Sequence, residues 1–199
     1  RPAIDEKFTD SKVLVVNADG TGVRVLGDGM MPSFSPRHNR IAYSRQQPNY
    51  GVWVMSSEGP EKELVQIDEN GWGADWSPDG KQIAYALNDD NGTNLAVYDI
   101  VEGDRLLLFE EGKCPYSSFF WNFCWSPDGR RIACKALRTD GEKYELIILD
   151  ARGAKHGLVT RVEEEANPNL TWSHDSKRVF FSQKTASRNN RRSEEHTSE

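Results

Sequence analysis

A fourfold internal repeat constrains this chain more than any other feature. An aromatic residue followed by Ser and a tight turn recurs as Phe34-Ser35-Pro36, Trp76-Ser77-Pro78, Trp125-Ser126-Pro127 and Trp172-Ser173-His174, with the serines 42, 49 and 47 residues apart. Each turn leads into a short apolar stretch: Ile41-Ala42-Tyr43, Ile83-Ala84-Tyr85, Ile132-Ala133-Cys134 and Val179-Phe180-Phe181. Two of the turns read Pro-Asp-Gly, at 78–80 and 127–129. Pro presets the first turn angle and Gly supplies a positive φ, so these turns join adjacent antiparallel strands. The first copy carries Arg37-His38-Asn39 there and the last Asp175-Ser176-Lys177, which weakens the turn signal without erasing it. A second hairpin recurs in step at 17–20, 56–59, 99–103 and 150–153, flanked by alternating stretches such as Val52-Trp53-Val54-Met55 and Leu95-Ala96-Val97-Tyr98.

Each period therefore holds four short strands joined by turns, with no helical periodicity, which is the composition of a propeller blade. Side chains alternate across a strand. Pro32 and Phe34, Ala74 and Trp76, Phe123 and Trp125, and Leu170 and Trp172 share one face of the first strand; Ser33, Asp75, Cys124 and Thr171 take the other. One face is bulky and the other small, so twisted sheets can stack bulky on small around an axis. A single blade cannot bury its own aromatics, and repetition supplies the core. The expected fold is all-β: an incomplete β-propeller over residues 11–183, with about three full four-stranded blades and half blades at both ends. Residues 1–10 are expected to be an N-terminal extension and 184–199 a disordered tail.

Aromatic-Ser-Pro-Asp-Gly followed by Ile-Ala-Tyr resembles the β-propeller repeat of the TolB-type, WD-repeat-like family, over about Lys12 to Ser182. The resemblance implies a ring of six to eight blades, more than the repeats here supply. It also implies a noncatalytic interaction platform in a bacterial periplasm or cell envelope. Two other roles hosted by similar repeats are the gating propeller at the N-terminal side of a prolyl-oligopeptidase-type serine peptidase and a polysaccharide lyase, the latter using channel histidines that have no counterpart here.

The ends bear on the same expectation. Arg1 stands where an initiator Met would, and Arg192 to Glu199 read as the in-frame translation of a sequencing-library adapter, so the gene is expected to continue past about Arg191.

Composition and motifs narrow the chemistry. Lys plus Arg number 25 against 31 Asp plus Glu, a net charge of −6, so no basic surplus exists to neutralise a phosphate backbone and nucleic acid is not an expected partner. No apolar run reaches the roughly 18 residues of a membrane-spanning helix, and no membrane insertion is expected. No Gly-x-Ser-x-Gly elbow or catalytic-cysteine context occurs. Ser35, Ser77, Ser126 and Ser173 recur once per blade and read as turn hydroxyls. Cys134 replaces a repeated aromatic and, with Cys124, reads as a core residue; Cys114 alone falls in a loop. His38, His156 and His174 have no partner at ligand spacing, and 88–92, though oxygen-rich, lacks the order of a calcium loop, so neither metal nor cofactor is expected. Asn91-Gly92-Thr93 and Asn169-Leu170-Thr171 match the glycosylation sequon by pattern.

The longest spacing coincides with Gly112 to Phe123, which carries Tyr116, Phe119, Phe120, Trp121 and Phe123. Phe119, Phe120 and Phe123 read as filler between blades. Connections entering the innermost strand, and those between second and third strands, emerge on one propeller face around the channel. Met30, Met31, Trp72, Tyr116, Trp121 and Asn122 are placed there, with Arg45, Tyr50 and Arg138. Aromatic and Arg side chains on loops make binding anchors, and a protein or small ligand on this channel-entry face is the expected partner.

Overall fold

In a computed structural model the described residues are 11–120, 122–141, 144–155, 157–162 and 166–183. The extension expected at 1–10, the tail at 184–199 with its adapter-like end, Trp121 and His156 lie outside them. The described residues form 17 β-strands and no helix.

A first hairpin pairs β1 (Lys12–Val15) with β2 (Arg24–Asp28). Three sheets follow. β3 (Met30–Phe34), β4 (Arg40–Arg45), β5 (Gly51–Ser56) and β6 (Gly59–Asp68) pair in sequence order, as do β7 (Gly71–Trp76), β8 (Gln82–Asp89), β9 (Gly92–Asp99) and β10 (Arg105–Leu107). In the third sheet the first strand is split into β11 (Tyr116–Phe119) and β12 (Cys124–Trp125), both on β13 (Arg131–Arg138), with β14 (Tyr144–Asp150) and β15 (Leu158–Val162) beyond. β16 (Ala166–Trp172) and β17 (Val179–Gln183) form a last hairpin. Every pairing is antiparallel. The expected incomplete propeller is what forms: three whole blades, preceded by a pair matching third and fourth strands and followed by a pair matching first and second.

The turns show why Ser recurs. Ser77 Oγ donates to Asp79 Oδ1 at 2.6 Å and accepts the Gln82 amide at 2.9 Å, while the Gly80 amide donates to the Ser77 carbonyl. Ser126 with Asp128 and Ser173 with Asp175 repeat the arrangement. Ser176 takes the place of Gly80 and Gly129 at φ 60° and accepts the Asp128 amide of the adjoining blade at 3.1 Å. The first copy has no acid, and Ser35 Oγ accepts the His38 amide at 3.2 Å and the Arg37 amide at 3.4 Å.

Blades pack bulky face on small face. Trp76, Ile83 and Tyr85 lie on Ala42, Val52 and Val54 of the preceding blade; Trp125, Ile132 and Cys134 lie on Ala84, Ala86, Leu95 and Val97. Trp172, Leu170 and Val179 cover Ala133 and Leu146. Each indole also reaches across: Trp76 Nε1 donates to the Ser33 carbonyl at 3.1 Å, Trp125 to Asp75 at 3.2 Å and Trp172 to Cys124 at 2.7 Å. The acceptor is always the residue just before the preceding blade's aromatic. Phe34 has no such donor and is 58% exposed, whereas Trp125 is 6% exposed. Phe119 and Phe123 fill the space between the second and third blades, as expected, and Cys134 is fully buried there, whereas Phe120 stands apart from that core, edge-on to Tyr144 at 5.2 Å.

Trp125→Ala is therefore expected to cost about 3–5 kcal/mol in urea unfolding through the cavity it leaves. Trp125→Phe should cost about 1–2 kcal/mol, mostly for the abandoned Asp75 carbonyl. Phe34→Ala, at the same repeat position, should stay within about 0.5 kcal/mol.

Candidate functional site

The starts of the first strands pair with the ends of the second: Met30 opposes Ser44, Trp72 opposes Ala86 and Tyr116 opposes Arg138. Most of the singled-out residues thus sit at one end of their blades, away from the Ser-containing turns. Within that end the structure builds one aromatic platform. Tyr50 and Trp72 stack at 5.4 Å between centroids and 7° between planes, bridging the first and second blades. The connection carrying Tyr50 is tied down, because Gln66 Nε2 donates to the Tyr50 carbonyl at 3.1 Å and Trp53 Nε1 to the Asn49 carbonyl at 3.0 Å. Arg45 lays its guanidinium 4.9 Å from the centre of the Trp53 ring. Both platform rings are half-buried, so each keeps a surface toward solvent.

The start of each first strand is bulged: register shifts between Met30 and Ser33 and between Trp72 and Asp75. In the second blade the bulge uses Gly73 at φ 66°, whose amide donates to the buried Ser44 Oγ at 2.9 Å. The equivalent residue in the first blade is Met31, held at φ 52°, where a side chain costs on the order of 1 kcal/mol. Gly71 admits the Tyr85 ring, since a Cβ there would meet it at 2.8 Å.

The third blade departs from the expectation. Tyr116 is not an open anchor: it is 2% exposed, packs with Phe109 and Phe119, and donates from its hydroxyl to buried Glu145 Oε2 at 2.9 Å. A register shift between Tyr116 and Ser118 turns the ring inward. Arg138 is engaged by two carboxylates, Asp140 at 2.9 Å and Glu145 at 3.3 Å, which hold its guanidinium in place and raise its pKa. Asn122 donates to Asn169 Oδ1 at 3.3 Å and so links the third blade to the last hairpin. Trp121 lies outside the described residues.

Two features were absent from the sequence-based site. Trp53 belongs to the alternating strand Val52-Trp53-Val54-Met55 and pairs with Tyr43, and only the fold brings it under Arg45. Asp75, on the small face of β7, accepts a hydrogen bond from Ser33 Oγ at 3.0 Å, and burial pushes its carboxyl up to about 6 against that hydrogen bond. Among the described residues no group of three or more His, Cys, Asp or Glu could hold a metal ion. Burial raises the thiols of Cys114 and Cys124, which makes neither a ready nucleophile at neutral pH.

The fold and this rim define the class: an arc of a β-propeller with an aromatic rim on the connection end of its blades. No family model matches the chain. It is 35% identical over 75 residues to the Tol-Pal system protein TolB of Xylella fastidiosa strain M12, a stretch that is 35% of this chain and 17% of that protein. It also resembles the crystal structure of TolB from Acinetobacter baumannii, with a TM-score of 0.65 at 17% identity over 87% of this chain and 43% of that one. Enzymes share the fold. An oligogalacturonate lyase from Vibrio parahaemolyticus superposes with a TM-score of 0.63 at 12% identity, covering 86% of this chain and 51% of the lyase. The β-propeller domain of the Trilobed protease from Pyrococcus furiosus gives 0.53 at 18% identity, covering 74% and 46%. The chain thus spans less than half the length of these two TolB proteins.

A carboxyl raised in the folded state binds its proton more tightly there than in the unfolded chain, so Asp75 favours folding below pH 3.8 and loses that contribution as pH climbs to about 6. Asp75→Asn is expected to raise thermal stability at pH 7.5 and to flatten the pH 4–6 slope of unfolding, by up to about 3 kcal/mol. An unchanged slope in the variant would assign that titration to other groups.

Proposed function

We propose that this chain is part of a noncatalytic β-propeller platform of the bacterial envelope, binding a protein or small ligand on its aromatic rim. The observation that carries the reading is the Tyr50–Trp72 stack, held by bonds from Gln66 and Trp53 before any ligand arrives. Aromatic surface that is already ordered loses little entropy on binding. The sequence likeness to TolB over 75 residues supports the envelope reading. On this reading Met30, Met31, Arg45 and Asn122 border the platform, while Tyr116 and Arg138 shape its third-blade side from behind; Trp121 lies outside the described residues and joins them as a residue to be tested.

A second reading has support from the Trilobed protease propeller: a gating domain attached to a hydrolase. Sequence encoding a Gly-x-Ser-x-Gly elbow downstream of this segment would favour it, and further repeats followed by a stop codon would favour the platform.

In the complete protein, Trp72→Ala combined with Trp121→Ala is expected to abolish capture of partners from periplasmic extract while shifting the thermal midpoint by only a few degrees. A fall in stability matching the lost capture would instead make both tryptophans core residues.

A further inference from the structure

The opposite end of the third blade differs from its siblings in charge. At the second hairpin the residue before the turn glycine is acidic in three copies, Asp19, Glu58 and Glu102; in the third blade it is Arg152. The start of the second strand is doubly basic in the third blade and in the last hairpin, Arg130-Arg131 and Lys177-Arg178, against Asn39-Arg40 and Lys81-Gln82 in the first two blades. In the first blade Arg40 is neutralised by Glu63 at 2.8 Å. In the third, Arg130 and Arg131 have no carboxylate at salt-bridge distance among the described residues, and Arg152 shares Asp150 at 2.9 and 2.6 Å. Strand pairing sets Arg131 opposite Asp150, so the groups converge. They line a notch of about 400 Å³ formed by Arg130, Arg131, Asp150 and Arg152. Three guanidinium groups against two carboxylates, Asp150 in the notch and Asp128 beside it, leave a local excess of positive charge on a chain whose net charge is −6. The bond from the Asp128 amide to Ser176 Oγ seats the next turn alongside, adding exposed Lys177 and Arg178 at the same end.

We propose that this notch binds a phosphate group. Guanidinium forks match tetrahedral oxyanions two bonds at a time and remain charged at every physiological pH. The inference does not rest on the aromatic rim, which lies at the other end of the blades. The phosphate can belong to a soluble molecule or to a lipid headgroup, and the two are separable. Titration calorimetry with pyrophosphate reads the first. Flotation with phosphatidylcholine vesicles, with and without phosphatidate, reads the second.

Binding in either arm supports the assignment and names the source. Arg152→Glu restores the acid found in the sibling turns and should fold normally; it is expected to weaken binding at least about tenfold, as is Arg130→Gln with Arg131→Gln. Lys62→Glu, an equal charge change on the exposed outer strand of the first blade, should leave binding as it was. Absence of binding in both arms, or equal losses from Lys62→Glu and Arg152→Glu, would overturn the proposal.

Discussion

The hydrogen bond from each tryptophan indole to a carbonyl on the preceding blade sets the geometry on which the rest depends. Packing of a flat ring on alanine is favourable over a range of positions, since burial energy scales with area and has little direction. The indole N–H removes that freedom. It must meet the carbonyl of Ser33, Asp75 or Cys124, so each blade is fixed in height and rotation against the one before. The alanines at 42, 84 and 133 make the approach possible, and all three are fully buried. Neither partner does much alone: an unpaired buried N–H costs energy, and an uncovered alanine face wastes area.

Much of this was legible in the sequence because it follows period-two alternation. Trp76 and Ala74 had to share a face, Ala42 and Ala84 had to take the small one, and a serine recurring once per blade fitted a turn better than a reaction. What alternation could not show lies where alternation breaks. The bulges at Met31, Gly73 and Tyr116 each add a residue to the first strand and re-aim what precedes it. Hence Trp72 emerges to meet Tyr50, while Tyr116, read as an equivalent anchor, turns into the core toward Glu145. The Arg45–Trp53 contact was hidden for another reason: it continues the Ile41 and Tyr43 face to the end of β4, past the residues that the repeat pattern specifies.

The two ends of the blades are built on different principles. At the Ser-containing end the chain reverses in turns that satisfy their own polar groups, through Ser77 with Asp79 and its copies, and these turns dock on one another through Ser176. Such an end is stiff and has little unused hydrogen-bonding capacity in its backbone. At the other end the connections vary in length and are held by single contacts from Trp53, Gln66 and Asn122. Variation in sequence at that end does not disturb the ladder of indoles, so it is where specificity can change without loss of the fold. A strained Met31 is tolerable there for the same reason, because the sheet beneath it is fixed from both sides.

An internal repeat also supplies its own standard of comparison, since each position has sibling positions under the same structural demands. Departures then divide by whether something nearby compensates. Cys134 replaces a tyrosine and is enclosed by the packed third blade; Ser176 replaces a glycine and recovers a cross-blade hydrogen bond. Phe34 replaces a tryptophan where the ring stands exposed. Each of these substitutions answers to its surroundings. Arg152 answers in part, through Asp150 of its own turn, but its siblings are acids in the same kind of turn, and its arrival is accompanied by two further arginines that form no ion pair among the described residues. Packing and turn geometry are equally satisfied by Glu58 and Glu102 at that position, so neither selects a cation there. An anion held in the proposed notch would give the three arginines one common role outside the fold.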